Sequence, residues 1–167
     1  YGIGETWTLL VPNTKGGASQ PLSQSKTAME KANSMYAPIY QAFTQYWGEQ
    51  PGTSGPVYVG AFVLTLFFLG LFIVKGAMKW CLLAATILSI LLSWGKNFMG
   101  FTDFFLDYVP MYDKFRTVAS ILVIAEFTIP LLAMMALKRL VDEPECLSGK
   151  DGSMPRIHYL TISFALT

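Results

Sequence analysis

The stretch Trp94 to Arg116, WGKNFMGFTDFFLDYVPMYDKFR, lies between two long apolar segments and decides how the chain is read. It carries the carboxylates Asp103, Asp107 and Asp113, the cations Lys96, Lys114 and Arg116, and a dense set of aromatic rings. If its neighbours cross a membrane, this loop sits at a membrane face. Its mix of charge and rings then suits an amphiphilic, phosphate-bearing substrate.

Working outward, the composition supports that frame. The chain is 53% hydrophobic and only 14% charged, against about 25% charge for a soluble domain. Its net charge is +1, so no basic bias points to nucleic acid. A single His and two Cys leave no zinc set. Cys81, inside an apolar run, reads as an inert buried thiol, and Cys146 as a reduced one.

Three spans are expected, at about 57–74, 78–94 and 118–137. The first is uncharged and follows Pro56. Lys75, Gly76 and Lys79 make the turn to the second, with Trp80 at the interface. The third contains Glu126 and Pro130. Proline lacks an N–H, so the Glu126 carbonyl loses its helical partner about 12 Å into the span, next to a carboxylate. That face is expected to point into protein or a water-filled cavity, either for helix packing or for a substrate or proton pathway. The expected fold is therefore all-α: a polytopic transmembrane helix bundle with an extracytoplasmic helical or loop segment.

Lys75, Lys79, Lys138 and Arg139 assign one end to the cytoplasm by the positive-inside rule. Residues 1–56 and the loop 95–117 are then extracytoplasmic, and 138–156 form a cytoplasmic loop. The cations within 95–117 count against this orientation. Residues 157–167 read as the start of a further span, too short to cross. With no initiator Met, the chain reads as an internal fragment of a larger membrane protein. Within 1–56, a short helix is expected at Glu5–Val11 and a loop at 13–25. A helix follows over Lys26–Tyr46, with Met35, Ile39, Ala42, Phe43 and Tyr46 on one face and Pro38 kinking it or marking its true start.

In the central loop, Asp103 and Asp107 share a face if FTDFFLDY is helical, with Phe104, Phe105 and Tyr108 beside them and Pro110 ending the helix. Such carboxylates can act as a base, hold a divalent cation or pair with nearby cations. Lys114 and Arg116 project to one side if MYDKFR is extended, and Arg gives a bidentate fork for phosphate. A plainer reading also stands: the loop neutralises itself and anchors the bundle at the headgroups. Tyr46 and Trp47 can stack on a sugar ring or anchor at the interface. The candidate substrate-binding set is Lys114, Arg116, Asp107, Tyr108, Tyr112, Asp103, Asn97 and Trp47, with Glu126 as the intramembrane polar group.

YWGEQPGTSGPVYVGAFV (Tyr46 to Val63), SWGKNFMGFTDFFLDYVPMYDKFRTVASILVIAEFTIPLLA (Ser93 to Ala133) and TLLVPNTKGGAS (Thr8 to Ser19) resemble the YfhO family of bacterial membrane proteins, in particular its Bacteroidetes-type members. The resemblance implies a multi-pass protein of the bacterial inner membrane, of the GT-C glycosyltransferase type. It would take a sugar from a polyprenyl-phosphate donor and pass it to a cell-envelope polymer acceptor. Asp107, Tyr108, Tyr112, Lys114 and Arg116 match a DYxPMYxKFR-like string in the family, implying a supporting role at the donor site. The type carries its catalytic acid in an earlier extracytoplasmic loop, so no catalytic residue is assigned here. A transporter or flippase for a lipid-linked sugar, with Glu126 and Pro130 on its pathway, and a non-catalytic membrane scaffold subunit are the competing readings.

Overall fold

A computed structural model of the chain describes residues 1–49, 57–110, 112–114, 118–144 and 157–167. The described residues are mostly helical, 72% helix with 6% strand. It divides into two compact units, Tyr1–Tyr58 and Val59–Thr167.

The first unit departs from an all-helical reading. Ile3–Leu9 forms a 3-10 helix. Gly16–Pro21 forms β1 and Thr44–Tyr46 forms β2, paired antiparallel with Gly16 opposite Tyr46 and Pro21 opposite Thr44. Residues 13–25 are therefore not simply a loop. The GGASQP composition hides the strand, because Gly, Ser and Pro disfavour sheet and favour turns. Gly16 is required there: its φ is +84°, and a Cβ would lie 1.9 Å from the Gln45 carbonyl oxygen.

The long helix expected over Lys26–Tyr46 is broken. α1 covers Lys26–Glu30, capped by Ser25, whose Oγ accepts from the Ala28 N–H. Asn33 Oδ1 then accepts from the Met35 N–H, a local bond that competes with helix continuation. α2 restarts at Ala37–Ala42 with Pro38 in its first turn, so Pro38 marks a true helix start. Met35, Ile39 and Phe43 remain exposed rather than forming a buried face.

In the second unit, α3 is Ala61–Ile73, α4 Met78–Ser93, α5 Met99–Tyr108, α6 Leu122–Asp142 and α7 Ile157–Ala165. The core is built on α6, which packs chiefly on α3 and α4, while α7 packs on α3. Leu122, Ala125, Ile129, Leu132, Ala133 and Ala136 line its buried face at three- and four-residue spacing. The alanines admit a close approach: a Cβ on Gly70 of α3 would meet Leu132 Cγ at 3.0 Å and Ala136 Cβ at 3.3 Å. Hydroxyls stitch the helices together. Thr86 and Thr128 share a 2.7 Å bond between α4 and α6, and Ser89 Oγ donates to the Ile121 carbonyl at 2.7 Å. The Phe72 and Tyr159 rings stack at 4.9 Å, joining α3 to α7.

Helix lengths differ from the expected spans. α6, with the 3-10 turn ahead of it, is apolar and long enough to cross a membrane. It runs on through Lys138 and Arg139 to Asp142, past the expected end at 137. Cations in the last turns of a helix complement its dipole, and Arg139 pairs with Glu143 at 2.6 Å, so nothing there stops the helix. α3 begins only at Ala61, after Gly60 at φ +107°, and its 13 residues reach about 20 Å, short of a bilayer's apolar core. Cys81 is exposed on α4, not buried. Cys146 lies outside the described residues.

Candidate functional site at the bend between α4 and α5

Helix α4 ends at Ser93 and the chain turns sharply. Gly95, with φ +46°, opens a short 3-10 turn over Gly95–Phe98, and α5 leaves at 104° to α4. Buried Thr102 fixes this corner: its Oγ lies 2.9 Å from the Gly95 carbonyl and 3.2 Å from that of Phe98. α5 ends at Tyr108, two residues before Pro110, because proline disfavours helix in the residue before it.

The rings along this corner form a continuous series. Trp94 meets Phe98 edge-on at 6.2 Å, and Phe98 stacks on Phe101 at 5.5 Å. Phe101 meets Phe105 at 5.0 Å, and Phe105 meets Tyr112 at 5.8 Å. Phe104 and Tyr108 branch from Phe105, 5.0 Å from each other. Helical spacing accounts for most of it, since residues three and four apart are neighbours on one surface. Tyr112 is buried, and burial pushes its phenol pKa up. Tyr108 is 74% exposed, and Phe104 and Leu106 are also open.

Of the sequence-predicted residues, the structure brings Asp103, Asp107 and Tyr108 together on α5, both carboxylates exposed. Tyr112 joins them through the ring series, and half-buried Asn97 lies in the preceding 3-10 turn. Lys114 is exposed and ends a 3-10 turn over Tyr112–Lys114, so this segment is coiled rather than extended. The expected alternation of Lys114 with Arg116 runs into residues 115–117, outside the described residues. Arg116 lies outside the described residues. Trp47 belongs to the first unit, where it is 76% exposed.

Glu126 lies on the exposed face of α6 with Val123 and Phe127, while Ala125, Thr128 and Ile129 turn inward, so it meets none of the described helices. The reason is rotational. The small and hydroxyl-bearing side chains that allow close packing on α3 and α4 occupy the opposite stripe.

The most heavily satisfied acid was missed. Glu5, 1% exposed, accepts at Oε1 from the Tyr46 hydroxyl and from the Glu49 N–H at 2.8 Å, and at Oε2 from the Gly2 N–H at 2.7 Å. Burial raises its pKa, but these donors outweigh burial and hold it below the usual carboxylate value. Gly48 makes room, since a Cβ there would lie 1.7 Å from Glu5 Oε1 and 2.0 Å from the Tyr46 oxygen. Tyr46 thus serves this network through its hydroxyl. The only local signal was an acid three residues after Gly2, as in a capping box.

Among the described residues no three His, Cys, Asp or Glu side chains converge as a metal-binding set. Asp103 and Asp107 offer two oxygen ligands on one helix face, fewer than a closed site for a hard cation requires. Comparison with protein-family models, curated proteins and solved structures finds no match to this chain.

Proposed function

We propose that this chain is part of a multi-pass protein of the bacterial inner membrane that moves a sugar from a polyprenyl-phosphate carrier to a cell-envelope acceptor outside the cytoplasm. The observation that carries the reading is the α4–α5 corner. A helix rich in exposed rings leaves an apolar helix at 104° and presents two carboxylates one turn apart. Such a helix suits the membrane–water interface, where aromatic rings lie against acyl chains and polar groups face water. The family resemblance over 93–133 points to the same chemistry.

In this reading a carboxylate takes the acceptor hydroxyl proton and the acceptor oxygen bonds to the anomeric carbon. The anomeric carbon–phosphate oxygen bond breaks, and the phosphate leaves with the electron pair, held by Lys114 and Arg116. The α5 rings carry the polyprenyl tail. None of the described residues is assigned as the base.

The test uses liposomes holding the full protein, a radiolabelled polyprenyl-phosphate sugar and an envelope acceptor fraction. Label should reach the acceptor with wild type and fall sharply with Arg116→Ala. Label crossing to the other leaflet without a new glycosidic bond would replace the transferase by a lipid-sugar flippase. Glu126 would then line a path along the outside of α6, not one between the described helices.

A further inference from the structure

A cavity of about 360 Å³ opens between the C-terminal ends of α3 and α6, away from the residues discussed above. Val74 and Met135 form its apolar side. Lys75, Lys138 and Arg139 line it next, then Asp142 and Glu143. The order along α6 matters. After an apolar helix come the cations, and the acids follow one turn later, about 6 Å further along the axis.

The partners already made decide which charges are available. Lys79 donates to the Leu71 carbonyl at 2.7 Å, capping α3, and lies over the Trp80 ring at 5.4 Å. Arg139 is engaged by Glu143. Among the described residues Lys75, Lys138 and Asp142 have no ion-pair partner. Lys138 thus lies nearer the apolar body of α6 and Asp142 one turn beyond it, while Lys75 joins the cavity from the end of α3. A simple anion fits this poorly, because the acids and the carbonyl end of α6 make the outer rim negative.

We propose that this cavity binds a phosphoethanolamine group, supplied by an amine-bearing zwitterionic phospholipid. The phosphate sits against Lys75 and Lys138, the ammonium donates to Asp142, and the glycerol and first acyl carbons meet Val74 and Met135. In a lipid the phosphate is nearer the acyl chains than the amine, which is the order of charges along α6. A choline headgroup matches the charges but has no N–H to give a carboxylate. A glycerol headgroup has no cation for Asp142. The proposal rests on α6 lying in a bilayer, not on sugar transfer.

The test is equilibrium binding of a fluorescent-acyl phosphatidylethanolamine to the whole chain in neutral detergent. Competitors are unlabelled phosphatidylethanolamine, phosphatidylcholine, phosphatidylglycerol and soluble phosphoethanolamine. Phosphatidylethanolamine should compete about tenfold better than the other two lipids, the size expected for one charge-assisted hydrogen bond. Soluble phosphoethanolamine should compete only weakly. Asp142→Asn should erase the preference over phosphatidylcholine while retaining lipid binding, and Lys75→Gln with Lys138→Gln should weaken all three lipids. Equal competition by the three lipids, or a preference unchanged in Asp142→Asn, would overturn the proposal. Soluble phosphoethanolamine matching the lipid would overturn the lipid source. Sugar transfer by the full protein is measured separately, so loss of one result does not decide the other.

Discussion

The two units solve the problem of holding a fold in opposite ways. In Tyr1–Tyr58 the most buried groups are polar: Glu5 and Thr8 are closed off, while Trp7, Met35, Phe43 and Trp47 stay exposed. Its centre is one carboxylate receiving donors from three places in the chain. In Val59–Thr167 the interior is aliphatic, and the buried polar groups are small hydroxyls bonded to nearby carbonyls or to each other. A buried carboxylate is stable only with its full set of donors, so the first unit concentrates its stability in one residue. Close helix packing spreads it over many contacts.

That contrast breaks most visibly at Glu5. Glu5→Ala orphans the Tyr46 hydroxyl and two N–H groups. It should cost the first unit roughly 3–5 kcal/mol, from three buried donors left unsatisfied at about 1–3 kcal/mol each, partly relieved by water. Loss of amide protection within residues 1–49, with the helical signal of the second unit kept, is the expected outcome. Acid tests the same group more gently. The Glu5 pKa is lower folded than unfolded, so its stabilisation is complete above the ordinary glutamate value of about 4.5 and is lost as pH falls through the folded one. Trp7 and Trp47 fluorescence should report that loss below about pH 4.

In the second unit Gly70→Val forces side-chain atoms into Leu132 and Ala136 and should cost about 1–3 kcal/mol, read as a lower unfolding midpoint in detergent. The smallest effect is expected at the Thr86–Thr128 bond. Thr128→Val should cost roughly 0.6 kcal/mol, as membrane helix hydrogen bonds do on average. A penalty several times larger would mean that the second unit, too, depends on a single polar contact.

The same division explains what could be read in advance. Apolar runs and Pro110 set where helices run in the second unit, because those signals are local. The end of α6 escaped, since Lys138 and Arg139 read as loop charges but lie inside a helix. The direction of Glu126 escaped as well, because a carboxylate's burial depends on which stripe of α6 meets its neighbours. In the first unit little was legible. β1 is made of residues that disfavour sheet, and its partner β2 lies more than twenty residues away. Glu5 acquires its role from Tyr46 and Glu49, 41 and 44 positions away, which no periodicity shows. At the candidate site, the acid pair and rings were readable from helical spacing, but the 104° corner was not, since it follows from the backbone at Gly95 and the Thr102 bonds.

The most direct test of the membrane reading is a depth profile from single spin labels on the full chain in bilayers, with Cys81 and Cys146 replaced by Ser. Labels at Val123, Phe127, Met134 and Val141 follow the outer face of α6, and labels at Asp103 and Asp107 follow α5. The account predicts greatest depth at Phe127 and Met134, decline toward Val141, and a constant shallow depth for both α5 positions. Uniform water accessibility along α6, or a depth at Asp107 equal to that at Phe127, would contradict it.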